Sequence, residues 1–339
     1  MNIDRYKKQI IFYGIGEAGQ QKLLKSRVTI IGMGALGSVI ANGLARAGVG
    51  YLRLIDRDYV DWSNLQRQVL FTEEDAKENL PKVIATKNHL TEINSEIEIE
   101  AISSDVNSSN IEGFIQDVDL VVDGTDNFEI RGLINEACDK HQVKWIYGGA
   151  LASGGATMNI LQGEETPCFR CFMDELPEEG TYDTCSTVGV TNAITGIIAS
   201  FEVSEAIKIL TDSDAVSTQY LAIDTYDNLI DYIDVEKNPN CPVCGQKQYT
   251  QLDSPAGSLS TSLCGTDSWQ VASAANKKIN LKLLAARLEN VGDVNYTKFI
   301  LSFKNEEVSF KIFPDGRAIF ENVRDGIAAK TAYAEYIGL

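Results

Sequence analysis

The chain has 339 residues and a formal net charge of −18 at pH 7, with 44% hydrophobic and 23% charged residues. This length is sufficient for one large α/β domain and a smaller second one. The negative charge argues against nucleic-acid binding, because phosphate backbones are bound by basic surfaces. No apolar run reaches membrane-spanning length, and the N-terminus MNIDRYKKQI lacks a signal-peptide core. We therefore expect a cytoplasmic protein that binds neither nucleic acid nor membranes.

A nucleotide-binding pattern begins at a buried strand predicted over residues 28–31. Three glycines in the spacing GxGxxG follow this strand and open a predicted helix over residues 38–47. These glycines are Gly32, Gly34 and Gly37. A second predicted strand over residues 51–55 ends at Asp56, where a carboxylate can accept hydrogen bonds from ribose hydroxyls. The order strand, glycine turn, helix, strand and acid predicts a Rossmann unit that binds a nucleotide.

The residues after Asp56 indicate which nucleotide is expected. A dehydrogenase needs room for adenine here, but the polar loop DWSNLQR follows instead. Asn64 and Arg67 supply an amide donor and a planar guanidinium, which suit triphosphate oxygens, although a surface ion pair is the alternative role for Arg67. Lys82 opens a further predicted helix, where a lysine opposes the helix dipole, and such locally unfavourable residues tend to be functional. The loop therefore favours ATP over NAD.

An acidic turn follows the strand predicted over residues 118–122. Its sequence, DGTDN, lies at the carboxyl end of a central parallel strand, where open α/β sheets bind ligands. Asp126 is suited to hold Mg²⁺ through one carboxylate while the ion keeps waters and phosphate oxygens. The alternative, compatible with the first, is that Asp126 or Asn127 caps the helix predicted over residues 127–140.

Two CxxC pairs predict a structural zinc site. The chain has seven cysteines and no export signal, so metal binding or thiol chemistry is favoured over disulfides. Four thiolates from two such pairs form a closed tetrahedral site, and a redox pair is the less suitable alternative. The four residues are Cys168, Cys171, Cys241 and Cys244.

Two further cysteines have competing interpretations. Cys185 is predicted to lie at a loop–helix junction, where N–H donors stabilise a thiolate, and a buried structural role is the alternative. Cys264 is predicted to pack in a core.

The predicted fold class is α/β. A Rossmann-like doubly wound sheet continues into a mixed or antiparallel region that zinc staples, because later strands come without helices between them. Residues 1–245 are predicted to form this domain. Residues 246–261, rich in Ser, Gly and Pro, are predicted to be a linker, and residues 262–339 a small α+β domain.

Taken together, the motifs resemble those of the ThiF/MoeB/HesA family, bacterial relatives of the ubiquitin-activating enzymes. RYKKQI, GMGALGS, LIDRDYVDWSNLQRQ, LPKV, DGTDN, TCSTVGV and both CxxC pairs occur in the family's order over residues 1–245. The resemblance implies ATP- and Mg²⁺-dependent adenylation of the C-terminal Gly-Gly carboxylate of a ubiquitin-like sulfur carrier, used for molybdopterin or for the thiamine thiazole. It also implies a homodimer and a sulfur donor such as a cysteine desulfurase.

The resemblance assigns roles to individual residues. Catalytic roles fall on Arg67, Lys82, Asp126 and Cys185, the last being a thiol that some family members use in sulfur handling and others dispense with. Nucleotide contacts fall on Gly32, Gly34, Ala35, Gly37, Asp56, Asp58, Ser63, Asn64, Leu65, Gln66, Arg67, Lys82, Asp126, Asn127 and, from the partner subunit, Lys8. Lys8 replaces the family's usual arginine, and Ala35 replaces a common glycine. Zinc binding falls on the two CxxC pairs.

Two other functions are compatible with parts of the pattern. A nicotinamide-dependent oxidoreductase would use the same glycine loop, but Arg67 and Lys82 are unsuited to it and no histidine is placed for hydride chemistry. A zinc-stapled scaffold that binds a carrier without activating it is the non-enzymatic alternative, supported only by Lys8 and Ala35.

Overall fold

The computed structural model describes residues 3–177, 181–254, 260–262, 268–271 and 279–338. Its contacts divide the chain into two compact units, Met1–Ala256 and Gly257–Leu339. Cys264, predicted to pack in a core, lies outside the described residues. None of the described helices combines the length and the apolar character that a bilayer-spanning helix needs.

The first unit is built on an eight-stranded sheet in the order β3-β2-β1-β4-β5-β6-β7-β8. The first five of these positions are parallel and the remaining pairings are antiparallel. The strands are β1 (Arg27–Ile31), β2 (Tyr51–Asp56), β3 (Glu98–Ser103), β4 (Leu120–Asp123), β5 (Lys144–Leu151), β6 (Gly154–Ile160), β7 (Tyr220–Asp224) and β8 (Leu229–Ile233). This arrangement confirms the predicted Rossmann-like sheet with an antiparallel continuation.

Nine α-helices are described in this unit: α1 (Lys7–Ile11), α2 (Gly16–Leu23), α3 (Ala35–Ala47), α4 (Glu73–Lys77), α5 (Lys82–Ile93), α6 (Ile111–Ile115), α7 (Phe128–His141), α8 (Phe169–Phe172) and α9 (Asn192–Leu210). Apolar side chains of α3, α5 and α9 form a core on one face of the sheet, and those of α7 form a core on the other. Because both faces are covered, the central strand β4 is fully buried and mostly apolar, whereas the edge strand β3 mixes apolar and polar residues. The order reverses between β1 and β4, which opens a crevice at their carboxyl ends.

The residues that follow the second CxxC pair pack against α7. Lys247 and Tyr249 bond to the carboxylate of Asp139, and the N–H groups of Gln251 and Leu252 donate to Glu136. The segment that composition predicted as the start of a linker is therefore held to the first unit as far as residue 254. Its polar residues are ordered by two acids of α7, a long-range pairing that local composition does not reveal.

The second unit contains a six-stranded antiparallel sheet in the order β11-β12-β13-β14-β10-β9. Its strands are β9 (Ser260–Ser262), β10 (Ser268–Val271), β11 (Asp293–Tyr296), β12 (Leu301–Lys304), β13 (Ser309–Ile312) and β14 (Ala318–Glu321), and its helices are α10 (Leu281–Leu288) and α11 (Gly326–Ala332). Alternate strand residues and both helices share one apolar core. The unit is the α+β type that the sequence predicted.

Candidate functional site

The glycine loop joins the carboxyl end of β1 to the start of α3. Gly32 has a φ of 89°, and a Cβ there would lie 2.5 Å from the backbone oxygen of Gly124. A Cβ on Gly37 would collide with the backbone of Gly32, whereas the nearest atom to a Cβ on Gly34 is 4.0 Å away. Gly32 and Gly37 are thus required by the turn and by packing. Gly34 leaves open space in front of the N–H groups of α3, whose first residue is Ala35, and a phosphate fits there.

Asp56 ties the end of β2 to this loop. Its Oδ2 accepts a hydrogen bond from the N–H of Met33 at 2.6 Å, and its Oδ1 accepts one from the N–H of Asp58 at 2.7 Å. Burial raises the pKa of Asp56, while the neighbouring ammonium of Lys82 lowers it. Asp56 therefore fixes the loop conformation and also lies where the sequence analysis expects a ribose.

Lys82 is the first residue of α5 and its side chain is buried. Its Nζ lies 3.1 Å from Oδ2 of Asp58. Burial alone would lower the pKa of Lys82, but the carboxylates of Asp58, Asp56 and Asp126 raise it above its usual value. The ammonium is therefore charged, and these acids offset its unfavourable position at a helix N-terminus.

The loop that carries Asn64 and Arg67 begins with a short 3₁₀ turn, Trp62–Asn64. Asp61 accepts from the N–H and hydroxyl of Ser63, and Oδ1 of Asn64 accepts from the N–H of Asp61. Nη1 of Arg67 donates to the backbone oxygen of Ser63 at 3.0 Å. Two other residues of this loop are predicted nucleotide contacts: Leu65 packs on the core and Gln66 is exposed. Asn64 and Arg67 are thus oriented by the turn itself.

The sequence allows Asp126 or Asn127 to cap α7, and in the structure Asn127 is the capping residue. Oδ1 of Asn127 accepts from the N–H of Ile130 at 2.9 Å and caps α7. Asp126 does not cap the helix and is exposed. Its charge raises the pKa values of both Lys82 and Cys185. Asp126 and Cys185 line the same cavity.

The environment of Cys185 differs from the prediction. Cys185 is half-buried in the turn over residues 184–187, and α9 begins only at Asn192, so the expected loop–helix junction is absent. Its Sγ lies 3.8 Å from the backbone oxygen of Ala150. Burial and Asp126 raise the pKa of the Cys185 thiol, and Arg67 only partly opposes this. The expected stabilisation of a thiolate is wrong for this conformation.

Lys8, predicted to contact the nucleotide of the partner subunit, is exposed on α1.

A buried ion pair that the sequence analysis missed lies beside Asp126. Nε of Arg131, on α7, donates to Oδ2 of the fully buried Asp123 at 3.0 Å. Nη2 of Arg131 donates to the backbone oxygens of Thr125 at 2.8 Å and Gly148 at 3.0 Å. The guanidinium thus joins the ends of β4 and β5. The one sequence signal is its position a helical turn after the capping Asn127.

A cavity of about 470 Å³ extends from Asp126 over one face of β5, β6, β7 and β8. Its floor includes Gly149, Ala156 and Ala222, which lie side by side in the strand register. Tyr147 and Tyr220 flank the floor with their rings stacked at 6.3 Å, and residues 182–185 also line the cavity. An extended, small-residue peptide fits such a surface.

Glu202, on α9, is fully buried behind the same strands. Neither carboxylate oxygen has a hydrogen-bond partner among the described residues, and a Cβ on Gly148 would collide with the carboxylate. Burial and the charge of Asp123 raise the pKa of Glu202 well above its usual value, with Arg131 opposing. The folded protein therefore favours the neutral, protonated form of Glu202.

Replacing Glu202 by glutamine is expected to stabilise the protein at alkaline pH. Because the pKa is raised in the folded state, folding takes up a proton, and stability falls as pH rises from the unfolded pKa towards the folded one. Glu202→Gln removes this loss, so the variant is expected to gain stability over the wild type at pH 8 and to gain less at pH 5. Thermal unfolding at pH 5 and pH 8 measures it; Glu92→Gln, an exposed glutamate on α5, is the control. An equal Tm difference at both pH values would contradict the assignment.

The four cysteines of the two CxxC pairs converge as predicted. Their sulfurs all lie within 4.8 Å of one another, with 3.6 Å between Cys168 and Cys241 and 3.4 Å between Cys171 and Cys244. A tetrahedral zinc thiolate site has sulfurs about 3.8 Å apart, as follows from its Zn–S bond length. Nδ2 of Asn135 donates to Sγ of Cys168 at 3.6 Å. The cluster can hold a metal ion such as zinc and join α8 to residues 241–244.

The sequence of this chain is similar to those of known adenylyltransferases. The ThiF family model matches residues 6–243. The sulfur carrier protein ThiS adenylyltransferase of Bacillus subtilis is 36% identical over 337 residues, covering 98% of this chain and 99% of the relative. The molybdopterin-synthase adenylyltransferase of Escherichia coli is 36% identical over 243 residues, covering 71% and 96%.

A solved structure shares the fold. The crystal structure of Escherichia coli MccB with ATP has a TM-score of 0.64 and 24% identity, and covers 72% of this chain and 75% of that one. The chain belongs to the ThiF family.

Proposed function

We propose that this chain is an adenylyltransferase that activates the C-terminal Gly-Gly carboxylate of a ubiquitin-like sulfur carrier with ATP and releases pyrophosphate. The Bacillus subtilis relative is named as an adenylyltransferase of the sulfur carrier protein ThiS, and the Escherichia coli relative as an adenylyltransferase of molybdopterin synthase. The observation that carries the proposal is the position of Asp126, which lines a small-residue cavity and raises the pKa of Lys82. The glycine loop packs against the backbone of Gly124, two residues before Asp126. Carrier-dependent exchange of pyrophosphate into ATP is the test.

The chemistry needs no general base, because a C-terminal carboxylate is already ionised at neutral pH. Its oxygen attacks the α-phosphorus of ATP, the bond to the β-phosphate oxygen breaks, and pyrophosphate leaves. Arg67, Lys82 and Asn64 bind the phosphates and stabilise the developing charge, while Asp56 positions the ribose. Asp126 would hold Mg²⁺, which neutralises phosphate charge. One exposed carboxylate that lines the cavity fits that ion, which takes water and phosphate oxygens as its other ligands.

Zinc is the metal we propose for the four-cysteine cluster, with a structural role. The ligand set is all-thiolate and leaves no open position for a substrate.

Sulfur transfer to the activated carrier stays a prediction. That the sulfur donor is a cysteine desulfurase also stays a prediction. The carbonyl carbon would bond to the donor's sulfur as its bond to AMP breaks. The place of Cys185 in the cavity wall, near Asp126 and Arg67, supports a part for this thiol.

The outer strand β8 is the surface we propose for the body of the carrier. In the described part of the chain β8 ends the sheet order, so one side of its backbone is unpaired. All five of its residues are exposed, and most are apolar. Leu229 and Asp231 of β8 also line the cavity, so a protein bound at this edge is placed to insert its C-terminus along the floor. Edge strands of this kind bind partners through backbone pairing and apolar contacts.

Replacing Ile230 in β8 by aspartate is expected to raise the KM for the carrier about 10-fold, since it places a charge in an apolar contact. The KM for ATP should stay unchanged. Steady-state kinetics with each substrate varied in turn measure both constants. Ile327→Asp, at an exposed isoleucine of the second unit, is the matched control. Equal effects of the two variants on carrier KM would contradict docking at β8.

The homodimer and the contribution of Lys8 to a partner's ATP stay predictions. The surface that supports them is an open groove of about 880 Å³ between α3 and α9, lined by Val39, Val69, Ile197 and Phe201. An exposed groove that carries four large apolar side chains is typical of a surface that binds another protein.

A further inference from the structure

The charges that line the cavity are unevenly distributed. Four carboxylates line it, from Asp126, Asp183, Asp224 and Asp231. Among the described lining residues, Arg131 is the one cation. A peptide that ends in a carboxylate is repelled by every charged group it meets here except this guanidinium. The cavity therefore favours one position for an anionic chain end.

Arg131 lines the cavity and is held by hydrogen bonds that use two of its three guanidinium nitrogens. Nε and Nη2 are engaged by Asp123, Thr125 and Gly148, and these bonds leave out Nη1. The residue is 5% exposed and its charge lies over the rings of Phe128 and Tyr147. A guanidinium fixed in this way loses little freedom on binding an anion.

The backbone next to Arg131 has no side chain that would cover it. A Cβ on Gly149 would lie 2.9 Å from Oη of Tyr147 and 3.4 Å from Nη2 of Arg131. Only glycine fits beside these groups, and Gly149 and Arg131 both line the cavity. Asp126, beside which the proposed function places the phosphates and the reacting carboxylate, lines the same cavity.

We propose that Arg131 binds the C-terminal carboxylate of the carrier and so positions it for attack on ATP. This inference rests on the proposed function and adds a residue to it. Because the phosphates are held by Arg67 and Lys82, the contribution of Arg131 is to carrier binding rather than to ATP binding. The charge-assisted bond is lost if the carboxylate is made neutral.

The test compares two forms of one carrier, a Gly-Gly protein that supports exchange, prepared with a free carboxylate or a C-terminal carboxamide. The wild-type protein is expected to bind the carboxylate form about 10-fold more tightly. Arg131→Gln should bind the two forms equally, and Arg131→Lys should keep part of the preference. Arg27→Gln, at the opposite end of β1, is the control and should keep all of it. Affinities are measured by calorimetry without ATP.

The test compares the ratio of the two affinities. If Arg131 had only a structural role, its replacement would weaken binding of both carrier forms equally and leave the preference for the carboxylate unchanged. An undiminished preference in Arg131→Gln would overturn the inference, and so would equal binding of the two forms by the wild type. Neither result would touch the proposed function, which fails only if the wild type exchanges no pyrophosphate with any Gly-Gly carrier.

Discussion

Arg67→Ala and Asp126→Ala are each expected to abolish carrier-dependent ATP–pyrophosphate exchange, lowering kcat/KM by about 10³-fold or more. The Arg67→Ala variant loses a guanidinium that is oriented by its hydrogen bond to the backbone oxygen of Ser63. The Asp126→Ala variant loses the exposed carboxylate whose charge acts on Lys82. Exchange of labelled pyrophosphate into ATP measures both.

Arg27→Ala and Asp119→Ala are the matched controls. They remove the side chains of an arginine at the amino end of β1 and of an aspartate that accepts from the backbone N–H of that arginine, so they test the cost of the substitution type at the opposite end of the strand. Near-normal exchange in Arg67→Ala or Asp126→Ala, with the controls also active, would contradict the roles assigned to these two residues.

Cys241→Ser is expected to have the largest effect on stability. It removes one of four sulfurs that join α8 to the second CxxC pair, and a closed zinc site contributes folding free energy directly. A loss on the order of 5 kcal/mol is expected, with a fall in Tm of about 10–20 °C. Bound zinc, measured by atomic absorption, should fall with it.

Cys185→Ser is the control for that experiment, because Cys185 is a half-buried cysteine outside the cluster. Its Tm should stay within a few degrees of the wild type. Unchanged stability in Cys241→Ser, together with a purified wild-type protein free of zinc, would show that the cluster is not a structural metal site.

The sequence predicted best those features that short-range chemistry requires. Gly32 and Gly37 are obligatory because any side chain there collides with backbone, so the pattern is strongly constrained. The CxxC spacing is likewise set by the geometry of one metal ion, and the four sulfurs do converge. Lys82 was noticed because it is unfavourable at a helix N-terminus, and the structure supplies the acids that compensate it.

The features that sequence reasoning missed depend on residues that are distant in the chain. Arg131 and Glu202 belong to ordinary helices, and their significance appears only when α7 and α9 pack against the ends of β4 and β5. The sequence predicts a loop–helix junction at Cys185, but α9 begins only at Asn192, and burial and Asp126 make the half-buried thiol less acidic. Helix ends and long-range packing are what local patterns determine least.

The central claim is that the chain adenylates a Gly-Gly carrier, and the most direct measurement is pyrophosphate release from ATP with Gly-Gly-ended carriers from the same genome compared side by side. The account predicts rapid release with at least one carrier, strict dependence on Mg²⁺, and no release with a carrier that lacks its last glycine. Binding of every such carrier without any pyrophosphate release, or stabilisation of the protein by NADH but not by ATP and Mg²⁺, would contradict it.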